Sequence, residues 1–234
     1  MISFPIGLVL TLGIFIASMG LERLTLYFNL HSIVLVGGGT LTILLLSAPV
    51  KALKELLREV LALFRPSKGL SDARPDLLAL ARAKDSQLQS GDEFLLYAQD
   101  LWTQGVSRDI FIVLLSQKRD EIQQRSVEAI QCLKNLAKYP PALGMAGTVM
   151  GIVTLFQSLD AGKDKIGPAL ALALTATFFG LIIANAFVMP VADRLQLRQL
   201  SQVNYLNSLY QVLLLINEGE SEQLIEDEVK LRAG

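Results

Sequence analysis

The stretches PPALGMAGTVMGIVTLFQSL (140–159) and GPALALALTATFFGLIIANAFVMPVA (167–192) decide the fold. Neither contains Asp, Glu, Lys, Arg or His. A helix needs about 20 residues to cross the roughly 30 Å of bilayer hydrocarbon, and both stretches reach that length. A pure lipid anchor would be mostly Leu, Ile, Val and Phe. These segments instead carry Gly, Ala and Thr at helical spacing. Small residues let helices approach closely, and threonines put hydroxyls where lipid offers no partner. The pair therefore reads as lining something.

The small residues fall into stripes. Gly144, Gly147, Thr148 and Gly151 lie at i, i+3, i+4 and i+7, which is one helix face. Gly147 and Gly151 form a GxxxG pair suited to helix packing. On the second segment Ala169, Ala173, Thr177 and Ala184 share a side, with Gly180 close by. Thr175 falls about 200° from Thr177 at roughly 100° per residue, so only one of them faces the alanine stripe, and that one is Thr177. The plainer reading of each Thr is tight packing, with its hydroxyl bonded to its own helix backbone.

Outward from this pair, the chain predicts an all-α membrane protein with four transmembrane helices. A cytoplasmic helical domain is inserted between the second and third, and the third and fourth extend into the cytoplasm. Residues 1–21 carry no charge until Glu22-Arg23. They lack the basic start and small-residue cleavage site of a signal peptide, so they read as a retained first span. Tyr27-Phe28 is an aromatic pair of the kind found at membrane interfaces. Residues 32–50 make the second span and contain Gly37-Gly38-Gly39-Thr40. Inside an apolar run those glycines suit close helix contact rather than a phosphate cradle. His31, the single histidine, reads as an interfacial polar residue.

Residues 51–138 form the inserted domain. It opens with KALKELLREVLALF (51–64), in which Leu53, Leu56, Leu57, Val60, Leu61 and Phe64 share a face. That pattern suits a helix on the cytoplasmic membrane surface; packing into the following domain is the open alternative. Arg65-Pro66-Ser67-Lys68-Gly69 breaks it. Helices are expected over 75–85, 92–104 and 107–138, separated by Gly91 and Gly105. Residues 139–159 and 167–192 are the third and fourth spans. In the cytoplasmic segment 193–234, a helix with the stripe Leu195, Val203, Leu206, Leu209 and Leu213 should stop at Gly219. The acidic tail beyond (Glu220, Glu222, Glu226, Asp227, Glu228) reads as a solvated end. Fourteen Lys and Arg lie between 51 and 138, against one in 22–31 and two in 160–165. Positive charge marks the cytoplasmic side, so both termini are expected to be cytoplasmic.

Composition narrows the function. Hydrophobic residues make up 52% of the chain, high for a soluble protein, and the net charge of −1 gives no reason to expect nucleic-acid binding. The lone Cys132 cannot form an internal disulfide and has no metal-ligand spacing beside it. No nucleophile–base set or nucleotide loop is visible, so an enzyme is not expected, nor a cofactor. Ion relays through lipid normally use an Asp or Glu, which is costly to bury and so tends to mark function. The segments here offer hydroxyls but no acid. If the chain conducts ions, a second protein must bring the carboxylate.

PALGMAGTVMG (141–151), IGPALALALTATFFGLIIANAFVMPVADRL (166–195), VGGGTL (36–41) and the tail INEGESEQLIEDE (216–228) resemble the A subunit of bacterial flagellar stators, the MotA/PomA type. The wider superfamily includes the TolQ and ExbB energy transducers. The resemblance implies an ion-driven torque generator of five A chains around two helices of a B subunit (MotB/PomB type) that carries a transmembrane Asp. It implies an ion path along Thr148, Thr177 and Ala173, and torque-related prolines at Pro168 and Pro190. It implies contact with the flagellar rotor switch protein through Arg108, Asp109, Lys118, Arg119, Asp120 and Glu121. In the middle of that stretch an acid usual in the family is replaced by Ser116-Gln117. Pro168 is also a good first-turn residue, whereas Pro190, inside a helix, frees a carbonyl and can kink it. Threonines on both core helices suit a hard cation and favour Na⁺, with H⁺ the alternative, although Thr175-Ala176-Thr177 lacks one hydroxyl of the frequent Leu-Thr-Thr. Two spans before the cytoplasmic region favour the stator form over the TolQ/ExbB form, which has one; a gliding motor and a structural membrane scaffold remain the alternatives.

Overall fold

The computed structural model describes residues 3–20, 27–65, 69–86, 88, 91–158 and 166–233. Residues 22–26 of the loop expected at 22–31, residues 66–68 of the break at 65–69, and the loop 160–165 lie outside them. Among the described residues every regular element is a helix. The chain divides into two compact units, Met1–Phe64 with Glu128–Gln196, and Arg65–Val127 with Leu197–Gly234.

The first unit holds the apolar helices. Its elements are α1 (Ser3–Met19), α2 (Leu30–Ile33), a π turn (Val34–Gly38), α3 (Gly39–Ser47) and α4 (Val50–Ala62). They are followed by the end of α7 (Arg108–Leu136), α8 (Tyr139–Ser158), α9 (Ile166–Ile182), a second π turn (Ile183–Val188) and the start of α10 (Met189–Glu218). Among the described residues three helical runs are long and apolar enough to cross a membrane: Leu30–Ser47, a window within Arg108–Gln157, and one within Ile166–Glu218. Pro5–Met19 is apolar but shorter. Asn29 caps α2, its side chain accepting from the backbone N–H of His31 at 3.0 Å, and His31 itself is exposed. Both π turns were invisible in the apolar pattern. The first contains Gly37 and Gly38, which have open space around them, while Gly39 is the glycine in close contact, with Leu143. The close contact expected of that glycine run is therefore made at one position.

At the far end of α3 the backbone becomes extended at Ala48 and Pro49 before α4 begins. One face of α4 packs on protein. Leu56, with Val60 and Leu63, packs against Ala129, Ile130, Leu133, Leu136, Ala192 and Leu195, whereas Leu57, Leu61 and Phe64 stay exposed.

The second unit is built from α5 (Leu70–Arg82), α6 (Glu93–Thr103), most of α7, the later part of α10, and α11 (Glu222–Ala233). Its core includes Leu77, Leu80, Phe94, Leu95, Phe111, Leu115, Leu209 and Leu213. Trp102 stacks on Phe111 with ring centroids 5.0 Å apart, and its indole N–H donates to Asn217 Oδ1 at 2.9 Å. Helix α5 starts five residues before the expected 75. The Gly69 N–H donates to the Asp72 carboxylate at 2.9 Å, which closes the first turn ahead of Pro75.

Gly219 ends α10 at φ +80°, a left-handed conformation that glycine adopts without cost. The acidic tail is not a solvated end. It forms α11, which packs on α5 with Ile225 and Val229 fully buried. Those two apolar residues are one helical turn apart and hidden in a string of acids. The acids are used as well: Glu222 pairs with Arg82 at 2.5 Å and Glu226 pairs with Arg74.

Candidate functional site

Helices α8 and α9 run antiparallel at very short range. Pairing runs from Pro140 against Gly180, through Gly144 against Ala176 and Thr177, to Gly151 against Ala173 and Ala169. A Cβ on Gly147 would stand 2.4 Å from the Ala176 methyl, and one on Gly151 would meet Ala173 N at 2.8 Å. The glycine stripe is what lets the two backbones meet. That proximity brings oxygens together.

Thr148 Oγ1 lies 3.1 Å from both Gly144 O and Ala173 O and can donate to either. Thr177 Oγ1 lies 3.3 Å from Gly144 O, and the two hydroxyls touch each other, either serving as donor. Four oxygens from two helices thus cluster in an otherwise apolar interface. Both threonines are half-buried, so the cluster opens to one side. Ala173 is buried; it contributes its carbonyl oxygen to the cluster and its methyl to the contact with Gly151. Elsewhere on the two helices Met145, Val149, Val153, Phe156, Leu170 and Leu174 are exposed. Chemically the cluster can accept hydrogen bonds from water or give oxygens to a cation. It holds no charge to neutralise one.

Thr175 points the other way, as its spacing requires. Its hydroxyl meets Ser32 Oγ at 2.8 Å and donates to Ala171 O at 2.7 Å. Ser32 is fully buried and also reaches Leu172 O at 3.3 Å. This second hydroxyl pair ties α2 to the back of α9. It was missed in the sequence because its partners are 143 positions apart. A serine just inside an apolar run was the available signal.

Pro168 is exposed in the first turn of α9. Pro190 is exposed one residue into α10, directly after the π turn Ile183–Val188. Proline has no N–H to give and its ring crowds the carbonyl four residues earlier. The wider π turn stands where that crowding falls. Asn185 lies in this turn and donates to Leu181 O at 3.0 Å.

The six charged candidates of α7 separate into two groups. Arg108, Asp109, Asp120 and Glu121 are exposed. Arg108 pairs with Glu218 of α10, and Asp120 and Glu121 pair with neighbours on α7 itself. Lys118 and Arg119 are half-buried. Lys118 bridges Glu93 of α6 at 2.8 Å and Glu121 at 3.2 Å, with its ammonium 5.6 Å from the Tyr97 ring centroid. Arg119 lies 4.8 Å from the Tyr210 ring centroid. Arg125, not among the candidates, joins Glu93 at 2.7 Å. Burial pushes the Glu93 carboxyl up, but the hydrogen bonds and charges of Lys118 and Arg125 outweigh it and hold it below the usual range. Burial likewise works against the Lys118 charge, and Glu93 and Glu121 reverse it, leaving the ammonium raised. Tyr205 donates to Asp92 at 3.0 Å, and burial with that carboxylate pushes the phenol well up.

Residues 86–208 match the MotA/TolQ/ExbB proton channel family, and the chain belongs to it. The chemotaxis protein PomA of Vibrio alginolyticus is 27% identical over 144 residues, covering 62% of this chain and 56% of that one. Motility protein A of Cereibacter sphaeroides is 36% identical over 89 residues, 38% of this chain and 35% of that one. The chain spans about half the length of the curated relatives it matches. Among solved structures, that of C. jejuni MotAB superposes with a TM-score of 0.80 at 21% identity, covering 99% of this chain and 95% of that one. The flagellar MotAB stator complex from Bacillus subtilis gives a TM-score of 0.72 at 20% identity, covering 97% and 92%. At these identities the likeness is one of fold, and it extends over both units.

Proposed function

We propose that the chain is the A subunit of an ion-driven rotary stator. Four crossings would follow: α1, the α2–α3 run, α8, and α9 with its π turn. Both termini would be cytoplasmic in a bacterial inner membrane. A B subunit would supply one transmembrane helix bearing an Asp, and five A chains around two such helices would form the working complex. The observation that carries this reading is the Thr148–Thr177 oxygen cluster, which offers ligands without a countercharge. A cation in a low-dielectric site needs an acid, and this interface has none to offer.

The cation would pass between the partner's Asp and the face of Thr148, Thr177 and Ala173. Binding would neutralise the acid and release would restore its charge, letting the A ring step around the B helices. Pro168 and Pro190 would bracket the moving segment. Arg108, Asp109, Lys118, Arg119, Asp120 and Glu121 would engage the rotor switch protein, with Lys118 and Arg119 also tied to neighbours inside the unit. The transported ion is read as Na⁺, with H⁺ as the alternative.

Expression with its B partner in stator-less cells tests the reading. Tethered cells should rotate, and Thr177→Leu should abolish rotation while the complex still reaches the membrane. A membrane-inserted wild-type complex that gives no rotation would move the assignment to a TolQ/ExbB-like or gliding energy transducer. Undiminished rotation with Thr177→Leu would reduce the threonines to packing.

A further inference from the structure

Helix α4 presents three sectors around its axis: one buried, one apolar and exposed, and one basic and exposed. At about 100° per residue, Ala52, Leu56 and Glu59 fall within roughly 60° of one another, and all three are buried. Nearly opposite, Val50, Leu57 and Leu61 fall within roughly 40°. They are 67%, 61% and 57% exposed, and Phe64 in the turn beyond is 70% exposed. Lys54, Arg58 and Lys51 occupy roughly the next 80° on one flank, and all are exposed. Glu55 lies past the cations, largely covered, with a long 3.7 Å approach to Arg58.

The position of α4 fits this pattern. It starts after the extended Ala48–Pro49 step that ends the apolar α3. Its inner face joins a cluster that also takes in Leu44 of α3, Val188 of the second π turn and Val191 of α10. Those are residues where the apolar runs finish.

We propose that α4 is a docking face for anionic lipid headgroups. The Val50–Leu57–Leu61 stripe sits at acyl depth, and Lys51, Lys54 and Arg58 hold phosphates beside it. The inference rests on the membrane reading given above. Charge complementarity selects the occupant. A second copy of the helix set face to face would bring cations against cations, while a leaflet with anionic lipid offers negative charge at the height of the flank. Basic residues at such a surface each add attraction to anionic lipid, and apolar side chains add burial.

The full chain in nanodiscs tests it, with a bimane label at Leu61→Cys in a Cys132→Ala background. The lipid is phosphatidylcholine alone, or equal parts phosphatidylcholine and phosphatidylglycerol. Brominated lipid and aqueous iodide serve as opposing quenchers, and a label at Leu46→Cys, on the exposed side of α3, reports the membrane span itself. The expected result is quenching of the Leu61 label by brominated lipid, with the lipid-to-iodide ratio rising about twofold or more when phosphatidylglycerol is present. Lys51→Gln/Lys54→Gln/Arg58→Gln should lose that rise. A Leu61 label quenched mainly by iodide overturns the proposal. So does one reached by neither quencher, which would mean a protein covers the stripe, and so does a ratio indifferent to phosphatidylglycerol. A Leu46 label unreached by brominated lipid would instead overturn the membrane reading, and this proposal with it.

Discussion

Thr148 and Thr177 carry one proton and two lone pairs each. Within their cluster the acceptors Gly144 O and Ala173 O are already close, so the hydroxyl protons have places to go and lone pairs remain for a visitor. Thr148→Val with Thr177→Val keeps side-chain volume while removing both hydroxyls; flux through the complex should fall while assembly persists, as followed by ion uptake into proteoliposomes. Equal uptake would assign these hydroxyls to packing. Gly151 tests the packing itself. A side chain there meets Ala173 N and Ala169 O, which are backbone and cannot step aside, so Gly151→Val should block pairing of α8 and α9. Loss of the assembled complex in native gels reports it. On the back of α9, Thr175→Val should cost about 0.6 kcal/mol, the average for an interhelical hydrogen bond in a membrane, and Thr175→Ser should restore it. Thermal unfolding in detergent would show both. The glycine stripe and the opposed directions of Thr175 and Thr177 were legible in the sequence because both follow from helical periodicity. Ser32 was not, because periodicity within one helix says nothing about its neighbour.

Among the elements, α7 and α11 show what charge patterns alone leave open. A run of Lys, Arg, Asp and Glu looks uniform in sequence, yet Lys118 is tied to Glu93 while Asp109 and Asp120 face solvent. Distinguishing them needs the position of α6. The Glu93 carboxyl is held below its ordinary range, so its contribution to the second unit is fully present above the unfolded carboxylate pKa of about 4.3 and is lost as pH falls through the lower folded value. Lys118, raised, contributes below its unfolded pKa and loses that contribution only as pH rises through its folded one. Proteolysis of the second unit should therefore accelerate in acid, and Glu93→Gln should flatten that dependence. An unchanged acid profile would mean the Lys118–Glu93–Arg125 group adds nothing. Helix α11 was read as a solvated end because five acids surround Ile225 and Val229. Burial of Ile225 and Val229 against α5 decides otherwise, and Ile225→Ala should cost about 3 kcal/mol of local stability. Hydrogen exchange in α11 would register that loss.

At the scale of the whole molecule, the apolar runs were enough to anticipate an all-helical chain with long apolar helices. Length and periodicity carried that information. The π turns were not legible, since a register slip of one residue leaves an apolar pattern intact. Both fall inside membrane-type helices, the first following Ser32 and the second preceding Pro190. The central claim is that cation passage along the α8–α9 oxygen cluster drives rotation. Its most direct test is the rotation speed of tethered stator-less cells expressing this chain with its B partner, first in Na⁺ medium and then with Na⁺ replaced by K⁺ at fixed pH. Rotation in Na⁺ that stops in K⁺ is the predicted result. Rotation that persists in K⁺ would make the ion H⁺ and leave the hydroxyls a water-organising role. No rotation in either medium, with the complex in the membrane, would contradict the account.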